Sequence, residues 1–117
     1  MKSIEDLDVF KKAHKLTLEI YKITSSYPKD EIYGLISQMR RAAVSINSNL
    51  MEGGARLGKA ELKQFIGIAR GSATELKYQL FLSGELNYID KKTSDKFAGE
   101  INEIVKMLSG LIKSVEN

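Results

Sequence analysis

Apolar positions along the chain recur at alternating steps of four and three residues, the spacing that keeps side chains on one side of an α-helix. Val9, Ala13, Leu16, Ile20, Ile23 and Tyr27 form such a stripe on a helix from about Asp6 to Ser26. Tyr27-Pro28 ends it, because proline has no N–H to donate and disfavours helix in the residue before it. Asp30 is expected to cap a second helix, with the stripe Ile32, Leu35, Met39, Ala42, Ile46 and Leu50 and a stop at Gly53-Gly54. A third helix, from about Lys59 to between Gly84 and Tyr88, turns Leu62, Phe65, Ala69, Ala73, Leu76 and Leu80 inward. Thr93 or Ser94 is expected to cap the fourth, whose stripe is Phe97, Ile101, Ile104, Leu108, Leu111 and Val115. No run alternates apolar and polar residues, and no Asn-Gly or Asp-Gly turn occurs, so no strand is predicted. Four helices joined by short turns predict an all-α fold, an antiparallel up-down-up-down four-helix bundle, with residues 1–117 as a single domain.

Composition fits that picture and removes several chemistries. A chain of this length buries roughly two-thirds of its unfolded surface, enough for one core. Cysteine is absent, which excludes disulfides, thiolate catalysis and zinc-thiolate sites and suits a reducing compartment. The N-terminal MKSIEDLDVFKKAHK is charged where a secretory signal would be apolar, and no stretch reaches the ~18 apolar residues of a membrane span. A cytoplasmic protein without membrane contact is expected.

Catalytic constellations are missing from the sequence. The one histidine, His14, has Lys11 three residues before it, so the paired Glu-x-x-His motifs of a di-metal bundle cannot be built. His14 is expected to be a hydrogen-bonded residue at the edge of the core. Gly53 to Ala60 resembles a phosphate-binding loop for seven positions, but Ala60 stands where a magnesium-binding hydroxyl is needed, and the segment follows a helix instead of a strand. The expectation is a protein with no catalytic residues, metal, cofactor or small-molecule substrate.

Charge and surface pattern point to macromolecular contacts instead. The net charge is only +3, but residues 35–77 hold seven basic groups against three acidic ones, while the flanking segments are close to balanced. Arg41, Arg56, Lys59, Lys63, Arg70 and Lys77 are therefore candidates for phosphate contacts on a polyanion, although a solvated helix surface accounts for any one of them equally well. On the second helix Arg40, Val44, Asn47 and Met51 fall outside the core stripe on one side. Gln38, Ser45, Asn49 and Glu52 fall on the other, either a polar seam between helices or a solvated flank. On the third, Gly67 and Gly71 lie on an outward line with Ile68 and Leu82 off the stripe. Glycine in a helix interior costs about 1 kcal/mol relative to alanine. Close approach by a second copy of the chain would explain the pair; glycines tolerated on a solvated face are the alternative.

The segments DLDVFKKAHKL, YPKDEIYGLISQMRRAAVSINSNLMEGGAR and FIGIARGSATELKYQLFLSGEL resemble the bacterial four-helix bundle proteins encoded by intervening sequences in 23S ribosomal RNA genes. The string of Glu31, Tyr33-Gly34-Leu35, Gln38, Arg40-Arg41-Ala42, Ser45-Ile46, Asn49 and Glu52-Gly53 carries most of the likeness. The fourth helix agrees only in pattern. The family often has tryptophan where Phe10 stands and proline where Asn47 stands. The resemblance implies a ring-like homopentamer without enzymatic activity. It also implies similarity to the accessory protein of diversity-generating retroelements, a more strongly basic pentamer that works with nucleic acid. The expected function is association with RNA or DNA through the basic side chains of helices two and three, the alternative being a protein-interaction scaffold that binds no nucleic acid.

Overall fold

The computed structural model describes residues 3–116. Its helices are α1 (Asp8–Thr24), α2 (Leu35–Gly54), α3 (Lys59–Glu85) and α4 (Lys91–Glu116), with short 3-10 turns at Ile4–Asp6 and Lys29–Glu31. Each helix packs on the next and α4 returns to α1, leaving α1 and α3, and α2 and α4, on the diagonals. Every neighbouring pair is antiparallel. Going up α1, Phe10, Thr17 and Thr24 meet Asn47, Ala43 and Arg40 of α2 in descending order. Ser72 and Ser83 of α3 likewise meet Ser45 and Met39 of α2. Arg70 and Leu80 of α3 reach Ser109 and Ser94 of α4, and Lys12 and Glu19 of α1 reach Glu103 and Lys96 of α4. The bundle measures 44 × 25 × 19 Å, its long axis close to the ~40 Å expected of the 27-residue α3.

The predicted stripes form the core. Leu16, Ile20, Met39, Ile46, Leu50, Leu76, Leu80, Ile101, Ile104 and Leu108 are fully enclosed, each contributing roughly 1.5–3 kcal/mol of burial. Ala42 and Ala43 of α2 and Ala69 and Ala73 of α3 are buried small residues of the same core. On α3 the enclosed residue is Ile66; Phe65 lies at the α2 edge of the stripe, partly exposed under the Arg56 guanidinium, 5.0 Å from the ring centre.

Two boundaries differ from the sequence reading. Helix two begins at Leu35 and not at Asp30, because the chain after Pro28 first makes the 3-10 turn, so Ile32 is exposed instead of core. Glu31 supplies the terminal acceptor: its Oε1 takes the Leu35 N–H at 3.1 Å and its Oε2 the Tyr88 hydroxyl at 2.7 Å. Gly34 leaves room for this, since a Cβ there would lie 2.7 Å from Glu31 Oε1. Helix four is capped by Asp90, whose Oδ1 accepts the Thr93 N–H at 2.7 Å, and not by Thr93 or Ser94. Ser94 instead donates across to the Leu80 carbonyl. Gly53-Gly54 are the last residues of α2, as the sequence predicts, and Gly53 also permits close contact: a Cβ on it would lie 2.8 Å from Phe65 Cβ.

At the far end of α3, Asn87 takes the left-handed conformation, φ 63°, while Asn87 and Tyr88 donate their N–H groups to the Gly84 and Ser83 carbonyls. This pattern closes a helix by satisfying its last acceptors. It sends Tyr88 back toward Glu31, where its ring packs 5.2 Å from that of Tyr27.

Candidate nucleic-acid interface

The basic side chains of α3 are sorted by the helices beside it. Lys63, Arg70 and Lys77 are spaced by seven residues, two helical turns, and so lie along one side. Arg70 identifies that side as the α4 flank, because its Nη1 donates to Ser109 Oγ at 3.2 Å. Lys59 and Lys63 continue the row to the end of the bundle, where they line a small concavity of 240 Å³ with Val115 of α4. The acids Glu61 and Glu75 lie on the other flank, toward α2: Glu61 is 3.9 Å from Arg56, and Glu75 lines a concavity with Arg41, Gln38 and Ser45. One flank of α3 is therefore cationic over about five turns, and the opposite flank is mixed.

The two remaining candidate arginines sit elsewhere. Arg56 is held by Glu52 at 2.8 Å, by Glu61 and by the Phe65 ring, so its charge is largely engaged in closing the turn between α2 and α3. Arg41 is exposed on the α2 side, bordered by Tyr33, Ser37 and Glu75, and is not brought together with the α3 row.

The residues expected at a subunit contact also divide. Val44, Met51 and Ile68 are 41%, 44% and 46% exposed, and an added Cβ at Gly67 or Gly71 would meet nothing within 4 Å. Leu82 is half-buried against the core, and the exposed side chain beside it is Phe81. Arg40 and Asn47 have partners within the chain. Arg40 Nε donates to Thr24 Oγ1 at 2.9 Å, its Nη2 donates to the Tyr21 carbonyl, and its guanidinium lies 4.7 Å from the centre of the Tyr21 ring. Asn47 Nδ2 donates to the Phe10 carbonyl at 2.9 Å. Between these polar ties the outer face of α2 is hollowed into two adjoining concavities of 470 and 620 Å³ that share Val44 and Ser48. His14 is solvent-exposed at the rim of the first, not a hydrogen-bonded core-edge residue.

On the opposite side of α2, Ser72 donates to Ser45, and the Asn49 amide donates to both the hydroxyl and the carbonyl of Ser45 at 2.9 and 2.8 Å. Ser45 and Asn49 thus make a half-buried seam with α3, while Gln38 and Glu52 are exposed. Among the described residues, no group of three or more His, Asp or Glu side chains is placed to hold a metal ion, and no helix is long and apolar enough to cross a membrane.

The model of the 23S rRNA-intervening sequence protein family matches residues 5–110, which takes in all four helices. The chain belongs to that family. Its fold is similar to the crystal structure of an S23 ribosomal protein family member of unknown function from Bacteroides thetaiotaomicron VPI-5482. The two share 25% sequence identity with a TM-score of 0.80, over 90% of this chain and 98% of the other. No curated protein matches the chain significantly. For this member of the family, the motif running from Glu31 to Gly53 is largely explained by the bundle itself: Glu31 and Gly34 start α2, Arg40 closes the end of α1, Ser45 and Asn49 join α2 to α3, and Gly53 admits Phe65.

Proposed function

We propose that the protein is a non-enzymatic, self-associating helical bundle that binds the phosphate backbone of nucleic acid with the cationic flank of α3. The observation that carries this reading is the segregation of Lys59, Lys63, Arg70 and Lys77 from Glu61 and Glu75 on opposite sides of one helix. A row of like charges spaced by helical turns suits a polyanion better than a single acidic side chain. Arg41 adds a separate contact on the α2 side, and Arg56 supports the turn. Self-association rests on two exposed surfaces, Val44 and Met51 on the outer face of α2 and Ile68 with the open glycines Gly67 and Gly71 on α3. Copies arranged in a closed ring, as the family likeness implies, would repeat the row and multiply the net charge of +3 into a useful field.

The test is retention of labelled RNA and DNA by the purified protein at low salt. Binding should weaken steeply as salt rises, with each phosphate contact adding about −0.7 to −0.9 to the log-log slope. Absence of retention at tens of micromolar protein would exclude the reading. Nuclease-insensitive capture of a protein partner would favour the scaffold.

A further inference from the structure

The row of cations on α3 does not end in empty surface. Phe81 follows Lys77 by four residues, one turn further along the same flank, and is 60% exposed. Tyr78, three residues before Phe81 and so its neighbour on the helix surface, is 61% exposed. Across the groove, α4 contributes to the same face. Ser109 accepts the hydrogen bond of Arg70, and Lys106 and Lys113 stand three residues before and four after it, on the side of α4 that it marks. The acid Glu103 belongs to the opposite side of α4, where it meets Lys12 of α1. At Phe81 the face becomes mixed: the side chain borders a concavity of 450 Å³ together with Glu85, Asp90, Asp95 and Lys91, with Asp90 committed to the Thr93 N–H and Asp95 to Lys91.

We infer that the α3/α4 face is a track for an unpaired polynucleotide strand, with its phosphates along Lys63, Arg70, Lys77, Lys106 and Lys113 and a base stacked on Phe81. This inference rests on the nucleic-acid reading above and narrows it from any polyanion to a single strand. A duplex presents phosphates but keeps its base faces stacked inside, so exposed rings add nothing to its binding. A single strand offers a π-face from every base, and a ring at the end of a basic groove captures one. The cations of α3 end at Lys77, so the phosphate contacts along that helix stop before the mixed surface around Phe81.

The experiment is fluorescence anisotropy with labelled oligonucleotides of about twelve residues, single-stranded and duplex, in RNA and DNA versions. The wild-type chain should bind the single strand more tightly than the duplex. Phe81→Ala should weaken single-strand binding about tenfold with the salt slope unchanged, because stacking releases no counterions. Arg70→Gln should reduce that slope. Since the chain has no tryptophan, Phe81→Trp provides a lone reporter whose emission should be quenched by the single strand and not by the duplex. Equal binding of both forms, unchanged in Phe81→Ala and without quenching in Phe81→Trp, would overturn the stacking inference while leaving the cationic flank as a backbone contact. No binding of either form would overturn both.

Discussion

At the scale of single residues, the ends of α1 and α2 depend on polar groups whose partners lie far away in the chain. Glu31 shows this through its charge. The Tyr88 hydroxyl first, and the Leu35 N–H second, hold its carboxyl below the usual range, while hydrogen bonding to Glu31 and then burial raise the Tyr88 hydroxyl above its own. A depressed carboxylate stabilises the fold above its unfolded pKa and loses that contribution as pH falls below about 4. A raised phenol contributes below about pH 10 and loses it as pH rises further. Tyr88→Phe should therefore be least stable relative to wild type between about pH 5 and 9, with the difference closing on both sides. Urea unfolding across pH measures this; a difference constant from pH 3 to 11 would refute the coupling. Arg40 is a second case. It joins the buried Thr24 hydroxyl and the carbonyl of Tyr21 in the last turn of α1, where a cation also meets the negative end of the helix dipole. Arg40→Met should cost about 1–2 kcal/mol in chemical denaturation, and Arg40→Lys should recover little, since an ammonium cannot reproduce the planar fork or its stacking on Tyr21.

At the scale of helices, α3 carries the most information. Its apolar stripe faces the core, one flank carries cations toward α4, and a line of small residues runs through Gly67 and Gly71. Within one chain nothing requires these glycines, because a methyl group at either would meet open space. In an isolated bundle, replacing both by alanine should raise stability by about 1–2 kcal/mol in total. If another copy packs on that line, the same change should loosen the assembly and lower its mass by light scattering toward the 13.1 kDa of one chain. We expect the fall in mass; a more stable variant of unchanged mass would show a solvated face. How much of α3 could be read in advance follows from the same geometry. Periodicity located its stripe and its outward glycines, since both are angles around one axis. It placed Phe65 inward in preference to Ile66, because the two sit near opposite edges of the stripe and only the approach of Gly53 decides between them. It did not single out Phe81, Lys106 or Lys113, whose meaning depends on which flank of α3 meets α4.

For the whole molecule, the properties to measure are self-association and salt-dependent binding, and they are linked. A single bundle presents one row of cations, whereas a closed ring presents several. If copies form the proposed ring, a variant that dissociates it, such as Gly67→Ala with Gly71→Ala, should weaken binding to a long strand far more than to a short one. The comparison of short and long oligonucleotides on wild type and the glycine variant checks this; equal losses on both would separate assembly from binding.

The sequence by itself determined how many helices there are, roughly where they run, and most of the residues that meet in the core, since each follows from the 3.6-residue period of a local structure. It also placed an excess of positive charge in the middle of the chain. Tertiary structure decided what the off-core residues do. Arg40 and Asn47 turn to α1, Arg56 to Glu52 and Glu61, and Lys59, Lys63, Arg70 and Lys77 to the α4 side. A periodic pattern specifies the angle of a side chain around its own helix but not which neighbour stands at that angle. That choice belongs to the order in which the four helices pack.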